Sequence, residues 1–116
     1  MPGTLFILNE TPYGSERTYN ALRLAVTLAA QTDRQVRVFL MGDAVASAKA
    51  GQKVPAGYYN AQTMLDKIVQ RGEVALCGTC MDARGLRDEE LLPGCRRSTM
   101  VELGRWTAEA GKVLVF

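Results

Sequence analysis

The chain reads as an α/β protein, a parallel sheet covered on both faces by helices. Three observations lead there. Apolar runs of strand length recur at residues 4–9, 35–41, 73–76 and 112–116. The segments between them carry helical periodicity and capping signals. The runs are apolar nearly throughout, as expected of strands buried on both faces rather than one. At 116 residues the chain is read as one domain, 1–116, able to bury roughly two-thirds of its unfolded surface.

Thr4 to Asn9 is the first strand. Thr11-Pro12-Tyr13-Gly14 turns the chain, and Ser15 is a natural N-cap, with Glu16 in the first turn of a helix running to about Gln31. The second strand covers Gln35 to Met41 and closes at Gly42-Asp43, where Asp43 is placed as a helix N-cap. A short helix is expected over 44–50 and a loop over 51–59, which holds two glycines and Pro55. Asn60 caps the next helix, whose stripe is Met64, Leu65, Ile68 and Val69. Gly72 ends it, and 73–76 is the third strand. Leu91 to Cys95 is read as a short fourth strand, held to an edge or a strand start by Pro93. Thr99 and Glu102 fit a capping box that opens a helix through Leu103 and Trp106 to Gly111. Residues 112–116 form the last strand. No internal repeat or low-complexity stretch interrupts this pattern.

Composition narrows the function. Hydrophobic residues make up 47% and charged residues 22%, and the net charge is +2, an ordinary globular balance. The basic residues are scattered and form no stripe with interleaved aromatics, so direct nucleic-acid binding is not expected. The N-terminal segment lacks a basic n-region and a cleavage site, and no apolar run approaches the ~20 residues needed to span a bilayer. An odd count of three cysteines is unlike a secreted disulfide framework, so the cytoplasm is the expected location. The chain contains no histidine, which removes a Cys–His nucleophile pair and any histidine-ligated metal. Cys77, Cys80 and Cys95 lack an obvious fourth ligand for zinc, so no metal and no cofactor is expected.

The stretch with most chemical content is Cys77-Gly78-Thr79-Cys80-Met81-Asp82-Ala83-Arg84-Gly85, where a buried strand ends and a helical turn begins. A thiol there faces free backbone N–H groups of Gly78 to Cys80, which favour thiolate, the reactive form; Gly78 permits close approach. The competing reading is a structural pair of small buried cysteines. In a parallel sheet the ligand crevice lies beyond the carboxyl ends of the strands. Asn9, Tyr13, Gly14 and Ser15 after the first strand, Gly42 and Asp43 after the second, and Cys77, Gly78, Thr79 and Asp82 after the third are therefore expected to converge on one mouth. Turn chemistry alone also explains Tyr13 and Ser15. Arg84 either stabilises a thiolate or pairs with Asp82 or an acid on another subunit. Cys95, Trp106 and Met64 are read as packing. In the first helix, eight apolar residues from Ala21 to Ala30 span an arc of roughly 240°, against about 100° or somewhat more for a helix packed only on its own sheet; the excess suggests a subunit interface.

The chain resembles the YchN-like branch of the DsrE/DsrF family over essentially its full length. The resemblance rests on the order and spacing of Thr11 to Glu16, Leu22 to Ala25, Phe39 to Val45, Gly51 to Lys53, Cys77 to Gly85, Val101 to Leu103 and Lys112 to Phe116. It implies a three-layer α/β/α fold on a mainly parallel five-stranded sheet, and a ring-like homo-oligomer, a hexamer of stacked trimers. It implies sulfur handling: relatives carry a persulfide on one cysteine and pass it on in tRNA thiolation or sulfur oxidation. By its interval to Gly85, Cys77 matches the relay cysteine and Cys80 does not. Cys80 is then a neighbour able to resolve a persulfide or close a disulfide. A sulfur carrier without turnover of its own is the reading this favours. A thiol–disulfide redox protein using Cys77 and Cys80, and a small-ligand or regulatory module needing no reactive thiol, are the alternatives.

Overall fold

The computed structural model describes residues 3–31 and 35–116; Met1 and Pro2, part of the N-terminal segment above, lie outside them. The elements are β1 (Thr4–Leu8), α1 (Arg17–Gln31), β2 (Val36–Leu40), a 3-10 segment (Gly42–Ala48), α2 (Ala61–Val69), β3 (Glu73–Cys77), α3 (Gly78–Ala83), a 3-10 turn (Asp88–Glu90), β4 (Cys95–Ser98), α4 (Met100–Glu109) and β5 (Lys112–Val115). The five strands form one sheet in the order β4-β3-β2-β1-β5. Every pairing is parallel, as the near-continuous apolar runs require.

Alternation along the strands divides the interior into two layers. Phe6, Leu8, Val38, Leu40, Val74 and Leu76 face α1 and α2. Leu5, Phe39, Ala75 and Cys77 face the other way, against Leu103 and Trp106 of α4. Trp106 packs edge-on to Phe39, with the Arg37 and Arg96 guanidinium groups over its ring. The single ten-residue helix α4 does not reach across this second face. Val113 and Val115 of β5 are exposed there, Val115 at 65%, and Met100 and Val101 project from α4, Val101 at 81%.

Several elements differ from their expected form for identifiable reasons. α1 begins at Arg17, and the Ser15 Oγ is buried with no hydrogen bond among the described residues, so Ser15 does not cap it. Asp43 lies in the first turn of the 3-10 segment, whose N-cap is Met41, because its carboxylate is drawn to Arg84 instead. β4 starts at Cys95, beyond Pro93, and Leu91 contributes just a bridge to Lys49. The wide apolar arc of α1 is partly absorbed within the chain: Val26 and Leu28 pack on the core that α1 shares with α2. The uncovered apolar surface is concentrated on the opposite face of the sheet.

Asn60 caps α2 as expected, accepting from the Gln62 and Thr63 N–H groups. Thr99 caps α4 by accepting from Glu102 N–H. The Glu102 carboxylate, however, does not close a reciprocal capping box. It receives Arg96, Ser98 and Arg105, which ties β4 to the helix that follows it.

The Arg96 guanidinium, with further help from Ser98 and Arg105, holds the Glu102 carboxyl down at about 2 against an ordinary 4.5. A carboxylate depressed in the folded state stabilises the fold fully above its unfolded pKa, and that contribution is lost as pH falls toward the folded value. Glu102→Gln is therefore expected to cost about 1–3 kcal/mol at neutral pH. The gap to wild type should close between about pH 4.5 and pH 2, measured by urea unfolding across that range. A gap independent of pH would contradict this account of β4 and α4.

Candidate functional site

Because all five strands run the same way, their carboxyl ends lie along one edge. Asn9 follows β1, Met41 and Gly42 follow β2, Cys77 ends β3 in register with Ser98 of β4, and Thr99 follows β4. Cys77 has two structural roles: it is the last residue of β3 and the N-cap of α3. Its Sγ accepts the Cys80 N–H at 3.4 Å and lies 3.1 Å from the Thr79 hydroxyl. Gly78 suits the tight packing at the next position, where a Cβ would stand 3.1 Å from the Arg97 side chain and from the Ser98 carbonyl, so that both would have to give way slightly.

Cys77 is 7% exposed and forms part of the wall of a cavity of ≈ 330 Å³. The walls are Cys77, Gly78, Thr79 and Asp82 on one side, and Arg97 to Met100 on the other. Arg97 braces the two sides: its guanidinium donates to the Gly78 carbonyl at 3.1 Å, to Asp82 at 3.0 Å and to Asp88 at 2.7 Å. Burial by itself raises the pKa of the Cys77 thiol. Hydrogen bonds from Cys80 and Thr79 outweigh that and bring it below the ordinary thiol value. Cys80 behaves oppositely. Burial, followed by the neighbouring Cys77 sulfur, pushes its thiol up. The pair is thus biased toward one thiolate and one thiol, with the charge on Cys77.

The expected convergence is split into two clusters. On the Gly42 side, Arg84 donates to Asp43 at 3.0 Å and to the Cys80 carbonyl at 3.1 Å, and the Gly42 N–H faces the Cys80 sulfur. A Cβ on Gly42, whose φ is +53°, would stand 3.3 Å from the Asn9 carbonyl. Asn9 itself donates its side-chain amide to the Phe116 carbonyl and holds the end of β5. Arg84 therefore sits beside Cys80 and is paired with Asp43; Asp82 is taken by Arg97. Tyr13 lies farther out, donating to Gln52 and accepting from the Ala61 N–H, and it stacks on Tyr59. With Gly14 and Ser15 it belongs to the turn that anchors α2 rather than to the walls of the Cys77 cavity.

Arg97, Ser98, Thr99 and Met100 are cavity walls that the sequence reading missed. The signal was present: had the fourth strand been placed after Pro93, its carboxyl end would have brought Thr99 to the same edge as Cys77. Cys95 packs on the opposite face of the sheet from Cys77, and burial pushes its thiol up to about 12. A second cavity, at the amino edge, is lined by Arg37 and Trp106, but Arg37 is already paired with Glu73 and Glu109.

These environments predict selective chemistry. With iodoacetamide at neutral pH, Cys77 should be alkylated first, and its rate should reach half-maximum below the ordinary thiol range. Cys95, its thiol pushed up to about 12, should react far more slowly in the folded protein. Peptide mapping with time checks this, and equal rates at Cys77 and Cys95 in the folded protein would contradict it.

Residues 3–116 match the DsrE/DsrF-like family. Protein YchN of Escherichia coli K12 is 44% identical over 118 residues, covering all of both chains. An uncharacterized protein of Methanopyrus kandleri is 38% identical over 111 residues, 95% of this chain and 90% of that one. Among solved structures, the crystal structure of the E. coli ychN protein superimposes with a TM-score of 0.94 at 43% identity over the whole of both chains. A protein of unknown function from Methanobacterium thermoautotrophicum, at 14% identity and a TM-score of 0.80, covers both chains fully and shares the fold. The sheet order, the helices on both its faces and the full-length sequence match agree: the chain belongs to the DsrE/DsrF-like family.

Proposed function

We propose that this protein is a sulfur carrier, holding a sulfane sulfur as a persulfide on Cys77 and passing it to a partner thiol. The observation that carries the reading is Cys77: its thiol is biased toward thiolate by Cys80 and Thr79, and the residue lies in the wall of a cavity of ≈ 330 Å³. In loading, the Cys77 thiolate attacks the outer sulfur of a donor persulfide. A new S–S bond forms, the donor's S–S bond breaks, and its electron pair leaves on the donor thiolate. Delivery is the same reaction run onto an acceptor thiolate that enters the cavity. A carrier of this kind has no net turnover alone. Donor and acceptor are protein thiols or persulfides, and the cytoplasm, where thiols stay reduced, suits both. No helix among the described residues is long and apolar enough to cross a membrane.

Exposure to a cysteine desulfurase with cysteine should add one sulfur to the wild-type chain, located on Cys77 by peptide mass spectrometry. Cys77→Ser should remove the addition, while Cys95→Ser should leave it intact. Sulfur found elsewhere, or nowhere, would end the carrier reading.

The second part of the proposal is self-assembly, as a homo-oligomer built from trimers into a hexamer. The support is the sheet face that α4 leaves open, where Val113, Val115, Met100 and Val101 stand exposed together with the half-buried Ile7 and Met41. Monomers seldom leave contiguous apolar surface of this kind uncovered. Wild type should elute as an oligomer by light scattering, and Val115→Glu should shift it toward monomer without unfolding it. A monomeric wild type would reject the assembly.

A further inference from the structure

The two sides of the Cys77 sulfur are not equivalent. Cys77 forms part of the cavity wall beside Thr79, whose hydroxyl lies 3.1 Å from the Cys77 sulfur, and Cys80 is absent from the described residues that line the cavity. On the other side is Cys80, whose N–H donates to Cys77 Sγ at 3.4 Å. Cys80 reaches that position from the side of Gly42 and Arg84. The two cysteines occupy the N-cap and the third residue of a helical turn, a spacing that puts their Cα atoms about 5–6 Å apart, within the range a disulfide spans. The cavity offers an outer sulfur carried by Cys77 room on the Thr79 side. Seen from Cys80, the inner sulfur is then the near atom, and the bond to the outer sulfur points away. That is the alignment for displacement at the inner sulfur.

The geometry points to a second activity, resting on the carrier reading above: when no acceptor thiol fills the cavity, Cys80 displaces the outer sulfur from Cys77 and releases it as sulfide. In balance, the Cys80 thiol and the Cys77 persulfide give a Cys77–Cys80 disulfide and hydrogen sulfide. The bond between Cys80 and the inner sulfur forms, the bond between inner and outer sulfur breaks, and the outer sulfur leaves with the electron pair and the Cys80 proton. The sulfane sulfur is reduced to sulfide while two cysteine sulfurs are oxidised to disulfide, so no outside oxidant is needed. A dithiol reductant returns the pair to its starting state. Transfer and release thus use opposite faces of one atom. Cys80 resists premature ionisation in the resting state, because burial and the charge on Cys77 both oppose it. An acceptor arriving in time takes the sulfur; otherwise the site empties itself.

The test uses the full chain, reduced, loaded with inorganic polysulfide and passed through a desalting column. Sulfide is trapped with monobromobimane, while intact mass follows the bound sulfur and the disulfide. Wild type is expected to release one sulfide per loaded chain, in step with appearance of the Cys77–Cys80 disulfide. Cys80→Ser and Cys80→Ala are expected to keep the sulfur on Cys77 and to release sulfide at least about tenfold more slowly, since the intramolecular nucleophile is gone. Release from either Cys80 variant at the wild-type rate would overturn the inference, as would a wild-type chain that keeps its sulfur with Cys80 still a free thiol. In both of those results Cys77 has taken up sulfur, so the carrier reading stands. Failure of Cys80→Ser to take up sulfur on Cys77 at all would instead overturn the carrier reading, and this inference with it.

Discussion

The Cys77 sulfur is a hydrogen-bond acceptor on which the local architecture is built. It ends β3, in register with Ser98, and accepts the N–H of Cys80 as the cap of α3. An N-cap is usually an oxygen from Ser, Thr, Asp or Asn. A neutral thiol is a weak acceptor, and a thiolate is a much better one. The same contact that starts the helix therefore favours the charged sulfur, so structure and reactivity are coupled through one bond. Both interior layers depend on the same crossing point. Cys77 belongs to the α4 side, while Met81, one turn later, is buried on the side of α1 and α2.

Arg97 makes that coupling rigid. It spans from β4 to α3 through the Gly78 carbonyl and Asp82, and its second contact to Asp88 fixes the chain between them. The guanidinium is partly exposed, so the ion pairs themselves contribute little net energy. Their value is geometric. They set the distance between the two walls of the cavity, and Gly78 allows the approach because it has no side chain to keep Arg97 away. A persulfide on Cys77 would thus sit in a slot whose width is held by charge pairs rather than by apolar packing.

The fold was largely legible because parallel strands buried on both faces need apolar runs, and helix ends need capping residues. Asn60 and Thr99 mark true N-caps, and α1 is helical up to Gln31, the last described residue before 35. What failed was local and competitive. Asp43 has the side chain of a cap, but an arginine 41 positions away in sequence claims it. Ser15 stands two residues before the helix, its hydroxyl buried with no partner among the described residues. The fourth strand is Cys95-Arg96-Arg97-Ser98, too polar for a hydrophobic-run reading, because an edge strand with exposed arginines needs little apolar sequence. That one displacement hid the far wall of the cavity. Cys77 itself was visible because strand end, glycine and second cysteine coincide in nine residues.

Two thiols three residues apart have several possible fates, and the protein's asymmetry separates them. A symmetric pair would share its charge and give either sulfur equal access to a partner. Here burial and the Cys77 charge keep Cys80 protonated, while Cys80 and Thr79 donate to Cys77. Their surroundings differ as well: Cys77 contributes to the cavity wall, and Cys80 lies by Gly42. Cys80 is the less buried residue of the two, so exposure alone does not select the reacting sulfur. Charge and shape select it instead: the thiol drawn toward thiolate is the one whose residue helps to form the cavity.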